Sequence, residues 1–195
     1  IDNDISCCEH TIGYDTALNT CMEMIDKLRD TAQSHDRCSV VEVMGRCAGY
    51  LALNVGIAVG ATSIIVPEIP FDFERDIVER MLATSATGKK HFIIIVAEGV
   101  GHVIEMSDKI QARTGIETRA TILGHVQRGG SPTLRDRVLA SQMGYYAVEL
   151  LLDGKSNRVV TIQNDHILDY DIEEALQMKK PFDFDLYQMA HEISI

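Results

Sequence analysis

Short runs rich in Val, Ile and Thr alternate along this chain with longer segments whose apolar residues recur every three or four positions. The short runs are Cys38 to Val43, Thr62 to Val66, Phe92 to Ala97, Thr118 to Leu123 and Val159 to Ile162. Their length and β-branching predict buried strands. Between them, Leu18, Cys21, Ile25 and Leu28 fall on one helical face, as do Phe73, Ile77 and Met81. Leu134 with Val138, and Ala147 with Leu150, give the same spacing in the stretch after Pro132. Such alternation predicts βα units and an α/β fold, a parallel sheet covered by helices on both faces. Pro67 after a strand, and Gly88 and Gly154 at helix ends, punctuate the pattern where it requires breaks.

In a parallel sheet of this kind, ligands gather at the carboxyl ends of the strands. Three of those ends are polar. After Val43 comes Met44-Gly45-Arg46, where Gly45 allows close backbone approach and Arg46 offers a fork of donors to phosphate or carboxylate. After Ala97 comes Glu98-Gly99-Val100-Gly101-His102. Glu98 there suits either a sugar hydroxyl or the positive end of a following helix. After Leu123, Gly124, Gly129 and Gly130 bracket His125 and Arg128, a loop able to bring both side chains against one anion. At the start, Asp2 and Asp4 read either as turn and cap residues or as a general base and a metal organiser. Arg37 and Arg119, before and within strands, read as surface ion pairs or as groups reaching a neighbouring subunit.

Composition narrows the partners. The chain has 195 residues, 46% hydrophobic and 24% charged, which suits one domain or two small lobes with a real core. A net charge of −11 argues against nucleic acid as a bulk partner while leaving room for a local phosphate pocket. Five cysteines without regular spacing (Cys7, Cys8, Cys21, Cys38, Cys47) read as reduced cytoplasmic thiols, not as disulfides or a zinc site. No apolar run approaches the roughly 20 residues of a membrane span, no signal-peptide pattern is present, and no membrane partner is expected. The opening Ile1-Asp2-Asn3-Asp4, without Met, reads as a chain with sequence missing upstream.

The segments IDNDI, SHDRCSVVEVMGR, ETRATILGHVQRGGSP and DRVLASQMG, in that order, resemble the signatures of the bacterial-type ATP-dependent 6-phosphofructokinases. The resemblance runs from Ile1 to Ile195 and matches the C-terminal part of that family. It implies a two-lobe αβα sandwich. Residues 14–126 and 178–195 would form the sugar-phosphate lobe, and 1–13 with 127–177 the remainder of the nucleotide lobe.

The family transfers a phosphoryl group from ATP to the 1-hydroxyl of fructose 6-phosphate with Mg²⁺, as a cytoplasmic homotetramer. By position, Asp2 resembles its catalytic base and Asp4 the companion acid at the metal. Met44, Gly45 and Arg46 resemble the loop at the sugar and the transferring phosphoryl, so Arg46 joins the catalytic set. Glu98 resembles the acid on the sugar hydroxyls, and His125 and Arg128 part of the 6-phosphate pocket. Arg37 and Arg119 resemble arginines donated by a neighbouring subunit. Arg29, Gly60, Thr62, Lys89 and Lys90 fall at the family's effector site for ADP or phosphoenolpyruvate.

The sequence departs from the family in places. The glycine-rich nucleotide segments and the Gly-Gly-Asp metal loop are absent, and Cys7-Cys8-Glu9 replaces the usual Gly-Thr-Asp-type turn. Thr62 stands for a common Glu and Thr87 for a common basic residue, which implies weak or atypical effector control. A pyrophosphate-dependent relative and a non-catalytic sugar-phosphate-binding fragment are the rival readings. For the chain by itself, loss of the upstream loops implies no turnover.

Overall fold

The structure is a computed structural model that describes residues 1–194; Ile195, the last residue of the expected sugar-phosphate lobe, lies outside the described residues. Its centre is a four-stranded sheet in the order β2-β3-β1-β4, with every neighbouring pair parallel. The strands are β1 (Cys38–Val43), β2 (Ser63–Ile65), β3 (Phe92–Ala97) and β4 (Thr118–Ile122). β1 and β3 take the bounds their sequence runs predict, because nearly every residue in them is buried. A continuous apolar run suits a strand covered on both faces.

Alternate strand residues feed two cores. Val41, Val43, Ile93 and Ile95 face α1 (Tyr14–Ser34), α2 (Tyr50–Ala58) and Ala190 of the C-terminal helix. Cys38, Val40, Ile94 and Val96 face the opposite layer. That layer is a π-helical turn (Glu74–Glu79), α3 (Arg80–Ala86) and α4 (Val103–Thr114). Ile77 and Met81 are fully buried and Phe73 packs beside them, so the stripe read in the sequence survives the change from π to α winding. Each such Ile or Met contributes about 1.5–3 kcal/mol by leaving water.

The fifth predicted strand corrects the expectation. β5 (Arg158–Gln163) does not join the parallel sheet; it pairs antiparallel with β6 (His166–Asp171), which the sequence pattern did not disclose. The physical reason lies in Asn164-Asp165, both with positive φ (48° and 62°), the backbone of a tight two-residue hairpin turn. The hairpin packs on α5 (Leu134–Leu152) and on the chain's first residues through a small cluster of Cys8, Leu139, Met143 and Ile162. The helical spacing of Leu134 and Val138 holds, since both lie on α5. They are 80% and 49% exposed, and the buried stripe of α5 runs instead through Leu139, Met143 and Leu150. The chain closes with α6 (Ile172–Gln177) and α7 (Phe184–Ile193), the latter returning to α2.

Candidate functional site at the carboxyl end of the sheet

β1, β3 and β4 lie side by side, so the loops that leave them meet at one end of the sheet. Val43 leads directly into Met44 and Gly45. A Cβ on Gly45, whose φ is 153°, would sit 2.2 Å from the carbonyl oxygen of Ala48. That same backbone accepts from Ala48 N–H at 2.8 Å, closing a tight turn. Arg46 follows with a left-handed φ of 54°, rare for a side-chain-bearing residue. Its N–H donates to the Glu98 carboxylate, which compensates that backbone. Gly99 is required beside it, since a Cβ there would meet the Arg46 carbonyl oxygen at 2.4 Å. The loops after β1 and β3 are therefore one packed unit. Burial, then the nearby Glu98 charge, raises the carboxyl pKa of Glu42, the last polar residue of β1.

The loop after β4 forms a 3-10 helix, Gly124–Arg128. Its anchor is Gln127, which sequence reasoning passed over. Gln127 is 1% exposed. Its Oε1 accepts from Met44 N–H at 3.1 Å and from Cys21 Sγ at 2.9 Å, while Nε2 donates to Gly124 carbonyl at 2.8 Å. A buried amide with both ends satisfied fixes the register of one loop against the other. The signal was weak, because a buried Gln in a polar loop looks like a surface Gln. With Gln127 pinned, His125 and Arg128 project outward, both exposed.

Asp2 is 5% exposed. Among the described residues, its Oδ1 is buried with no hydrogen-bond partner. Its Oδ2 lies 4.0 Å from Arg128 Nη2. A carboxylate oxygen shielded from water and lacking a donor is costly unless something else supplies one. Asp4, two residues on, is exposed and shares a cavity of about 400 Å³ with Arg46, Cys47, Glu68 and Lys180. Burial pulls the Lys180 ammonium down to about 8, against the opposing pull of Cys8, Glu9 and Asp4. A second residue absent from the sequence reading is Asp136, 3% exposed. It accepts from Gly13 N–H (2.9 Å), Thr16 N–H (2.8 Å) and the Thr16 hydroxyl, tying the start of α1 to the start of α5.

Arg37 and Arg119 stand at the other end of the sheet. Arg37 precedes β1 and Arg119 is the second residue of β4. Both pair with Glu117, at 2.8 and 3.0 Å, and together they hold its carboxyl below the usual range. A six-residue strand separates Arg37 from Met44, roughly 20 Å at the usual rise. Neither arginine meets the loops of its own chain.

The amino end also carries a cavity of about 250 Å³ lined by Arg29, Val59, Gly60, Lys89, His91 and Ile93. Burial and Arg29 lower Lys89; burial, Lys89 and Arg29 lower His91, against the opposing pull of Asp36. Thr62 is fully buried beneath this region and Lys90 pairs with Asp36 at 3.8 Å, so neither lines the cavity. Thr87 turns its hydroxyl back to Thr84 carbonyl. His91 was missing from the residues singled out in the sequence; its place one residue before β3 was the available signal.

The profile of the family described as Phosphofructokinase matches residues 1–151. The ATP-dependent 6-phosphofructokinase of Brevibacillus brevis is 57% identical over 195 residues, all of this chain and 61% of that protein. ATP-dependent 6-phosphofructokinase 1 of Clostridium perfringens is 57% identical over 194 residues, again 100% of this chain and 60% of that one. This chain thus spans about three fifths of the length of the curated relatives it matches. Among solved structures, phosphofructokinase from Saccharomyces cerevisiae superposes with a TM-score of 0.83 at 34% identity, over 90% of this chain and 25% of that one. A pyrophosphate-dependent phosphofructokinase from Marinobacter aquaeolei gives 0.74 at 21% identity, over 92% and 54%, a likeness of fold.

Proposed function

This chain belongs to the phosphofructokinase family, and from that premise we propose that it carries the sugar-phosphate side of a 6-phosphofructokinase active site. The observation that carries the reading is the buried Oδ1 of Asp2, which has no donor among the described residues, with Arg128 beside it at the loops after the parallel strands. A substrate hydroxyl would supply the missing donor. The two-lobe division is part of the proposal. In it, 14–126 and 178–195 would form the sugar-phosphate lobe, and 1–13 with 127–177 the remainder of the nucleotide lobe; the separate cluster of Cys8, Leu139, Met143 and Ile162 supports the second grouping.

In this reading the 6-phosphate of fructose 6-phosphate rests against His125 and Arg128, whose donors answer its charge. Glu98 fixes the sugar, with Met44, Gly45 and Arg46 closing over it. Asp2 accepts the proton of the 1-hydroxyl as that oxygen bonds to the γ-phosphorus of ATP and the bond to ADP breaks. Little more is asked of a base, because phosphoryl transfer is mainly alignment and charge stabilisation.

Mg²⁺ commonly takes one or two carboxylates and fills its shell with phosphate oxygens and water. Among the described residues no three acids, His or Cys converge on one point. Asp4, exposed in the cavity with Arg46, fits such a single protein ligand. Bound there with ATP, the ion would neutralise charge on the phosphates. ATP is favoured over pyrophosphate as donor because the relatives above 50% identity carry that name, whereas the pyrophosphate-dependent neighbours share the fold at 19–21% identity.

The neighbouring subunit of a homotetramer would bring Arg37 and Arg119 to the same phosphate. The cavity of Arg29, Gly60, Lys89 and His91 would take an anionic effector such as ADP or phosphoenolpyruvate. Weak or atypical effects are expected, since Thr62 and Thr87 present no charge to it. A cytoplasmic setting accords with this chemistry; among the described residues no helix is long and apolar enough to cross a membrane.

The test is Asp2→Asn in the full-length enzyme. It should lower kcat by about 10²–10⁴-fold and leave fructose 6-phosphate binding nearly intact. An unchanged kcat would reduce Asp2 to a turn residue. The 195-residue chain alone should form no fructose 1,6-bisphosphate from ATP.

A further inference from the structure

Lys180 lies between α6 and α7, far in sequence from the acids at the start of the chain. Its Nζ nevertheless donates to the carbonyls of Asn3 (2.9 Å), Cys8 (2.8 Å) and Glu9 (3.0 Å). An ammonium has three donors and no acceptor, so these three carbonyls use all of them. The stem is held as well. Nζ stands 4.8 Å from the Tyr50 ring centroid, and the Lys180 carbonyl accepts from the Tyr50 hydroxyl at 3.2 Å.

The loop it grips is otherwise irregular. Asn3 has a left-handed φ of 57°, donates from Nδ2 to Glu9 carbonyl at 3.0 Å and accepts Thr11 N–H at 2.9 Å. Residues 3 to 11 are thereby folded back on themselves, with the ammonium at the centre of the bend. Asp2 immediately precedes that bend, and Asp4 lies inside it. Asp4, Arg46 and Lys180 all line one cavity.

We propose that Lys180 is a positioning residue for phosphoryl transfer: by gathering three carbonyls of the loop that follows Asp2, it sets where the Asp2 carboxylate stands. The proposal rests on the functional reading above. A neutral, apolar side chain of similar length leaves three carbonyls without a donor, and the bend relaxes toward water. Displacing a base by about 1 Å is enough to lose about 10²-fold in rate. The 6-phosphate contacts of His125 and Arg128 are not touched by Lys180, so binding of the sugar should survive.

The experiment is Lys180→Met in the full-length enzyme, alone and combined with Asp2→Asn. The single variant should lose about 10²-fold in kcat while its fructose 6-phosphate KM stays within about twofold. In the Asp2→Asn background it should cost little more, because the base it positions is already gone. Lys180→Arg, which keeps the charge, should return most of the lost rate. Lys180→Gln keeps amide donors and serves if the Met variant does not fold; it should show the same kcat-selective loss, about 10-fold. An unchanged kcat in whichever neutral variant folds, or losses that multiply with Asp2→Asn, would overturn the proposal. Wild-type enzyme that forms no fructose 1,6-bisphosphate would overturn the functional reading, and the inference with it. Active wild type with an indifferent Lys180 would overturn the inference alone.

Discussion

The two ends of the central sheet handle charge in opposite ways. At the carboxyl end the backbone is pinned and the side chains are left open. Gly45, Gly99 and Gln127 lock three loops together, while His125 and Arg128 project outward and one Asp2 oxygen has no donor among the described residues. At the amino end the charged side chains are held in ion pairs within the chain. Arg37 and Arg119 share Glu117, and Lys90 holds Asp36. Open, fixed groups suit a ligand; exposed ion pairs contribute little stability and are easily exchanged. Under the proposed function, the amino-end arginines would trade Glu117 for a phosphate presented by a neighbouring subunit.

Removing that exchange should have the largest effect on substrate binding. Arg119→Ala in the full-length enzyme should raise the fructose 6-phosphate KM by about 30- to 800-fold, the equivalent of about 2–4 kcal/mol of charged hydrogen bonding. Thermal stability should hardly move, since the pair with Glu117 is exposed. Steady-state kinetics and a melting curve together check this. An unchanged KM would return Arg119 to the role of an ordinary surface ion pair.

The pinning at the other end predicts the reverse signature. Gln127→Leu leaves Met44 N–H and Gly124 carbonyl without their partner, at a cost of about 1–3 kcal/mol. The melting temperature should fall by several degrees, with a rise in KM as the loops after β1 and β4 lose register. A variant as stable as wild type would show that the loops are held by other contacts.

A smaller effect sharpens the amino end further. Burial, with Lys89 and Arg29, lowers the His91 pKa from its ordinary imidazole value, so the neutral form is favoured in the cavity when no anion is bound and a proton is gained as pH falls. An anion in that cavity favours the charged form. Sulfate, whose charge is constant over the range, should bind severalfold more tightly near pH 6 than near pH 7.5. His91→Ala should flatten that dependence. Calorimetry showing pH-independent binding, or the same slope without His91, would remove His91 from the cavity's chemistry.

Much of the sheet could be read in advance because its strands are apolar on both faces. Val40, Val41 and the run from Phe92 to Ala97 have no other solution than burial. The hairpin was misread because Val159 to Ile162 has the same composition, and the deciding feature is the positive φ of Asn164 and Asp165, which no periodicity encodes. On α5 the spacing of Leu134 and Val138 is helical, yet spacing does not say which stripe faces the core; Leu139 and Met143 take it. For the site, the glycines and charged residues of the loops were legible as types. Their supports were not. Gln127, Asp136 and Lys180 act through backbone groups distant in sequence, and a polar residue gives no sign of such a partner until the chain is folded.

The proposed sharing of one site between the two ends of neighbouring sheets is tested most directly by mixing two full-length variants. Arg119→Ala and His125→Ala would each impair every site in its own oligomer. Co-assembled, they should regain activity well above the sum of the separate enzymes, because some interfaces then combine an intact Arg119 from one subunit with an intact His125 from the other. Mixed oligomers no more active than the separate variants would contradict a site built from both ends, and would leave Arg37 and Arg119 as ordinary ion-pair partners of Glu117.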